Sequence, residues 1–242
     1  MVVPVTERRI VAMGGGGFLM RPDNGLLDAF VLELARERSG RDRPRLCFVP
    51  TAVGDSDRSI VEFYTAFVDR AEPRHLALFA RTIPDVGAFL LGQDVVYVGG
   101  GNTANMLAIW RLQGVDRALR AAWEAGVIMT GMSAGAICWF EACTTDSFGQ
   151  VLQPLRDGLG VLEGSYVPHY HGEAQRRPLF HRLVADGALP AGYGVDDGAA
   201  LVYHGTTLHE VVTSQADAGA YRIEVSDGAV RETPLPVRFL GS

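Results

Sequence analysis

The first two-thirds of the chain alternate short, continuous apolar runs with longer stretches whose apolar residues recur at helical spacing. The runs at 10–13, 46–49, 75–79, 94–98 and 127–130 are four or five residues long, too short for buried helices, and predict strands. Several stop at Pro or Gly: Pro50 closes the second, and Gly14-Gly15-Gly16-Gly17 and Gly99-Gly100-Gly101-Asn102-Thr103 follow the first and fourth. Between them, Leu26, Leu27, Phe30, Val31 and Leu34 line one helical face behind the cap candidates Asp23 and Asn24. Ile60, Val61, Tyr64 and Phe67 do the same behind Asp55 and Ser56, and further helices are predicted over 84–91, 104–112 and 116–125. Strands that are apolar throughout, separated by helices, predict a parallel sheet covered on both faces and joined by right-handed crossovers.

From about residue 160 the pattern changes. Residues 166–170 read as extended and 173–186 as helical; strand-like runs follow at 199–203, 208–213, 221–225 and 230–233, the last two joined by the turn signal Asp227-Gly228. These predict antiparallel strands that extend or flank the sheet. No internal repeat or linker interrupts residues 1–242, so a single α/β domain is expected.

Composition narrows the function classes. The chain has 242 residues, 48% hydrophobic and 21% charged, which is globular usage. Its 22 basic and 28 acidic residues give a net charge of −6 without a basic stripe, which argues against a nucleic-acid partner. No apolar run approaches a membrane span, and the charged start lacks the apolar stretch of a signal peptide. Cys47, Cys138 and Cys143 form no CxxC, so neither a disulfide framework nor a zinc knuckle is expected. A cytoplasmic protein without cofactor or structural metal, monomeric or homodimeric, is the expectation. Glycine, 29 of 242 residues, is in clear excess.

Part of that excess carries chemistry. Gly131-Met132-Ser133-Ala134-Gly135 follows the strand at 127–130 and precedes Ala136, Ile137, Cys138, Trp139 and Phe140, read as the start of a helix. This is the G-x-S-x-G pentapeptide in its strand–turn–helix context, in which a tight turn presents the serine at the sheet's carboxyl edge. The N–H of Ala134 then faces a developing oxyanion, and the loop containing Gly100, Gly101 and Asn102 supplies a second donor from a neighbouring strand end.

A nucleophilic serine needs a base. Among six histidines, His169 and His171 stand where a predicted strand runs into a loop, whereas His204 and His209 belong to the late β region. The carboxylate that orients the base has three candidates, Asp146, Asp196 and Asp197, each of which also fits an ordinary turn or cap role. The His169-x-His171 pair near Glu173 is a possible metal pair lacking a clear third ligand. Arg176 and Arg177 are candidates for reading a substrate carboxylate, with a solvated helix face as the plainer alternative. The order Ser…Asp…His, using Asp197 with His204 or His209, would instead indicate an α/β-hydrolase esterase. A non-catalytic binding module is the third possibility.

Val98-Gly99-Gly100-Gly101-Asn102-Thr103, Gly131-Met132-Ser133-Ala134-Gly135-Ala136, Pro168-His169 and Gly194-Val195-Asp196-Asp197-Gly198 together resemble the aspartyl dipeptidase (peptidase E) family, whose larger relatives are the cyanophycinases. The resemblance runs over roughly residues 9–213. It implies a flavodoxin-like fold akin to the class I glutamine amidotransferase domain, with serine in place of cysteine. It also implies a serine peptidase acting on small peptides, with Ser133 as nucleophile, His169 as base and then acid, and Asp197 as the third member. A second acidic position of the family falls near Asp146, and the oxyanion donors fall on the N–H groups of Gly100 and Ala134.

Overall fold

The computed structural model describes residues 2–241. Its layering follows from which way alternate strand residues point. In β1 (Arg9–Met13), Ile10 and Ala12 enter one apolar cluster and Val11 and Met13 enter another, all fully buried. Two buried faces explain why the run is apolar throughout rather than alternating.

Helices α1 (Gly17–Met20) and α2 (Leu26–Ser39) follow β1, and α3 (Asp57–Phe67) follows β2 (Arg45–Val49). All three pack on the Val11 and Met13 face through Phe18, Leu27, Val31, Phe63 and Phe67. Strand β3 (Glu72–His75) leads to α4 (Val86–Leu91), and β4 (Val95–Val98) leads to α5 (Thr103–Gln113) and α6 (Val115–Glu124). These helices cover the opposite face with Leu90, Leu107, Trp110 and Leu119. After β5 (Ile128–Met132), the four-residue helix α7 (Ala134–Ile137) ends and the chain enters a second sheet.

That sheet contains β6 (Phe140–Thr145), β7 (Gln153–Leu155), β8 (Leu162–Val167) and, after α8 (Arg176–Ala185), β9 (Gly192–Val195). The chain returns to the first sheet with β10 (Ala199–His204) and β11 (Thr207–Thr213), adds the hairpin β12 (Ala220–Ser226) and β13 (Ala229–Pro234) to the second, and closes with β14 (Val237–Phe239). The main sheet has the order β14-β11-β10-β1-β5-β4-β2-β3, with β1, β5, β4, β2 and β3 mutually parallel, β10 antiparallel to both its neighbours β1 and β11, and β14 parallel to β11. The second has the order β13-β12-β9-β8-β6-β7, with β6, β8 and β9 parallel. Phe140, Cys143, Leu162, Tyr166 and Val195 share the apolar cluster of α4–α7, so the second sheet docks on that face. Its outer face is covered by α8 through Phe180 and Val184. Asp227 and Gly228 both have positive φ (54° and 77°), as the two-residue turn of the β12–β13 hairpin requires.

Three local expectations change. The stretch after Ser133 is helical only to Ile137; from Phe140 it is a strand whose residues 142–145 are buried, Cys143 in the cluster shared with the main sheet and Ala142 in the one under α8. The third parallel strand is Glu72–His75, not 75–79. It is an edge strand paired only with β2, where Pro73 costs no ladder bond, while Leu76 and Leu78 are buried beyond its end. The extended stretch before His169 is Leu162–Val167, ended by Pro168, rather than 166–170.

Asp28 is buried in α2 at 2% exposure, and its Oδ1 finds no hydrogen-bond partner. Burial pushes its carboxyl up to about 7, an effect the charge of Arg70 only partly offsets. The folded chain therefore binds this proton more tightly than the unfolded chain. The stability contributed by this one proton is full below about pH 4 and is lost as pH rises toward 7. Asp28→Asn should flatten that fall, gaining on the order of 4 kcal/mol relative to the parent at pH 8 and little at pH 4, as measured by urea denaturation at both values.

Candidate active site

The parallel strands β1, β4 and β5 lie side by side, and their carboxyl ends carry the loops that begin at Gly14, Gly99 and Ser133. This edge is where open α/β sheets place their ligands. Ser133 sits between β5 and α7 with φ 51° and ψ −117°, a conformation costing a non-glycine residue about 1–3 kcal/mol. The turn is tight enough that a Cβ on Gly135 would collide with the carbonyl of Val98 in β4, and one on Gly131 would lie 2.5 Å from the Gly135 carbonyl. Both flanking glycines of the pentapeptide are therefore required by backbone proximity.

His169 follows Pro168 beyond the end of β8, also with positive φ (52°), and is nine-tenths buried. Its Nε2 lies 3.0 Å from Ser133 Oγ and its Nδ1 lies 2.5 Å from Asp197 Oδ1. Asp197 stands beyond the end of β9, so the second sheet supplies the histidine and the carboxylate while the first supplies the serine. The segment around His169 is pinned on both sides. The Tyr170 N–H donates to the Val195 carbonyl, and the Tyr170 ring lies against Gly194. The Tyr170 hydroxyl donates to Glu232 Oε2 at 2.5 Å, and Glu232 also accepts from Arg177 and contacts His181. Burial pushes the Glu232 carboxyl up, but the hydrogen bonds from Arg177, Tyr170 and His181 and the charge of Arg177 outweigh it and bring it down to about 2. On the other side, the His171 N–H and Nδ1 both meet Asp196 Oδ1, at 3.1 and 2.9 Å.

His169 and His171 thus turn to different carboxylates and do not converge on one point. Asp196 serves the neighbouring histidine and the Gly219 N–H, and Asp197 alone meets His169. The structure does not bring Asp146 into this chain of bonds. It is exposed in the turn after β6, where Ser147 instead ties the loop to the start of α5. His204 pairs in register with Arg9 at the amino end of β1, the opposite end from Ser133, and stacks on His209 at 3.8 Å. The Asp197 with His204 or His209 alternative is therefore corrected: neither histidine reaches the serine. Arg176 and Arg177 are also engaged elsewhere. Arg176 is buried and bonds Glu173 at 2.8 Å, while Arg177 grips Glu232.

Around Ser133, a Cβ placed on Gly100 would lie 3.4 Å from the serine Cβ, so this loop runs beside the hydroxyl. Among the described residues, the N–H groups of Gly100 and Ala134 have no intramolecular acceptor. Gly101 (φ 135°) packs against the Ala52 carbonyl. Asn102 is occupied at both ends: its Oδ1 caps α5 through Asn105 N–H, and its Nδ2 donates to the Ser147 carbonyl. Its place in the site is to hold the loop.

The Gly14-Gly15-Gly16-Gly17 loop also belongs here, which spacing alone did not reveal. Gly15 makes an isolated bridge with Asp197, its carbonyl accepting from the Gly198 N–H at 2.9 Å. A Cβ on Gly15 would collide with the Asp197 carboxylate and lie 2.9 Å from His169 Nδ1. The cue was the position of the glycine run at the carboxyl end of the first strand, one place along the sheet from the serine strand.

A parallel α/β sheet with such a strand–turn–helix serine is the framework of a hydrolase. Residues 10–211 match the family model for peptidase family S51, and the chain belongs to that family. It is 48% identical over 235 residues to YgaJ, an uncharacterised peptidase of Bacillus subtilis (strain 168), covering 97% of this chain and all of that one. It is 28% identical over 190 residues to peptidase E of Streptomyces coelicolor, covering 74% of each. The crystal structure of a peptidase from an acI-B1 Actinobacterium superposes with a TM-score of 0.69 at 18% identity, covering 95% of this chain and 94% of that one.

Because the Gly15 backbone fills the space beneath the Asp197–His169 bond, Gly15→Ala should displace that pair. Labelling of Ser133 by a fluorophosphonate probe is expected to slow at least about 100-fold, a scale set by small misplacements of reacting groups, while circular dichroism stays unchanged.

Proposed function

We propose that the protein is a serine-dependent peptidase of the dipeptidase or exopeptidase type, with Ser133, His169 and Asp197 as its catalytic triad. The observation that carries this is the continuous hydrogen-bonded line from Ser133 Oγ through His169 to Asp197, with the serine held at positive φ. Membership of a peptidase family supports the acyl substrate being a peptide. The cleft in front of the serine, about 570 Å³, is of a size that takes a small ligand.

Ser133 Oγ attacks the peptide carbonyl as His169 Nε2 accepts its proton. Asp197 keeps the imidazole in the tautomer with hydrogen on Nδ1 and stabilises the imidazolium that forms. The oxyanion is received by the N–H groups of Gly100 and Ala134, each such donor contributing on the order of 10²–10³ in rate. His169 then returns the proton to the leaving amine, the peptide C–N bond breaks, and Ser133 holds the acyl group as an ester. Water, deprotonated by His169, attacks that ester and releases the acid and the free serine. Asp146 has no part in these steps, and Asn102 and Gly101 act by shaping the loop that presents Gly100.

Ser133→Ala and His169→Ala should each lower kcat/KM on short peptides at least 10³-fold, and Asp197→Asn by on the order of 10²–10⁴. His204→Ala and His209→Ala should retain activity within about twofold. Peptidase activity that survives Ser133→Ala, or a requirement for His209 in place of His169, would overturn this assignment.

A further inference from the structure

The proposed peptidase leaves open which residue of a peptide the cleft accepts, and the second half of the first glycine loop bears on that. Gly17 (φ 62°) starts α1 directly over Tyr97, where a Cβ would collide with the phenol oxygen. That close approach seats the single turn of α1 at the cleft, and its last two residues, Leu19 and Met20, form part of the cleft wall. Met20 is 40% exposed, and its sulfur accepts from the Gly16 N–H. Val53, from the loop after β2, is 41% exposed in the same cleft, and Met132 adjoins the nucleophile. Four apolar side chains from three separate segments therefore converge beside Ser133, two of them with large exposed surfaces that a ligand would cover.

The charged groups of the cleft are already committed. Arg58 is largely exposed and donates through Nε to Glu62 one turn along α3 at 2.8 Å, so its charge is solvated and balanced within the cleft wall. Glu173, four residues after His169, is held at 2.8 Å by the buried Arg176 and brings a further negative charge to the same wall, as does Asp197. With Arg58 balanced by Glu62 and Glu173 by Arg176, Asp197 leaves the wall without surplus positive charge, and an acidic substrate side chain would be desolvated there at a cost.

We infer that the substrate residue whose carbonyl is attacked carries an apolar side chain, received by Leu19, Met20, Val53 and Met132, and that an acidic residue at that position is rejected. This inference rests on the serine peptidase reading of the same site. It separates this cleft from the aspartyl preference that resemblance to peptidase E implies.

The test compares kcat/KM of the full-length protein on Leu-Leu, Ala-Leu and Asp-Leu, with Ser133→Ala as background and fluorophosphonate labelling of Ser133 run in parallel. Leu-Leu is expected to exceed Ala-Leu at least 10-fold, as burial of the larger side chain dictates, and Asp-Leu at least 100-fold. The double variant Leu19→Ala/Met20→Ala should shrink the Leu-Leu over Ala-Leu ratio by about 10-fold, a substrate-dependent change that loss of folding would not produce. Equal losses on all three peptides would overturn the pocket assignment. A labelled Ser133 with Asp-Leu the better substrate, or with no dipeptide turned over, would overturn this inference alone. An unlabelled Ser133 with no turnover would overturn the peptidase reading and this inference with it.

Discussion

The site depends on how closely the backbone of the first loop can approach the turn that carries Asp197. Gly15 bridges that turn through its carbonyl, and Gly14 donates its N–H to the Ala199 carbonyl at 3.0 Å. The Ser133 N–H in turn donates to the Met13 carbonyl at the end of β1. One strand end is thus tied by main chain to both the serine turn and the carboxylate turn. No side chain fits between them, and the absence of Cβ atoms sets the spacing at which serine, histidine and carboxylate can bond in line. The same economy recurs at Gly131 and Gly135, where the elbow packs on β4. Glycine here is required by proximity more than by flexibility.

Around this crowded point the structure places groups that hold rather than react. The Tyr170–Glu232–Arg177 cluster fastens one side of the His169 segment to the β12–β13 hairpin, and the His171–Asp196 pair fastens the other. Asn102 caps α5 and holds the adjoining loop, which keeps Gly100 beside the serine. Within these surroundings both Ser133 and His169 are held at positive φ, a conformation that costs a non-glycine residue and persists only when its surroundings fix it.

Much of this was legible in the sequence. Apolar runs that are buried on both faces have few alternatives to parallel strands, so β1, β2, β4 and β5 are readable within a residue or two. The serine turn is readable because its glycines and its place after a strand coincide. The edge strand β3 and the start of β6 were not: β3 needs only one partner and carries Pro73, and Trp139 and Phe140 satisfy a helix pattern as well as a strand pattern. Spacing left four histidines and three aspartates open as partners for Ser133. Choosing among them depends on the second sheet, whose strand ends bring residues 36 and 64 positions beyond the serine to it. The first glycine loop stayed unread because its collision partners, Asp197 and His169, lie more than 150 residues away along the chain.

The division of the site between two sheets has one more consequence. Ser133 rides on the main sheet, His169 and Asp197 ride on the second, and the two sheets meet through a shared apolar cluster and the hydrogen bond from the Tyr166 hydroxyl to the Ala12 carbonyl. The 3.0 Å between Oγ and Nε2 is therefore a caliper across that docking surface. A slip of one ångström between the sheets would leave every strand ladder intact and still open the contact. Loosening of the interface by heat, denaturant or a core substitution would part the serine hydroxyl from the imidazole while the strand ladders held.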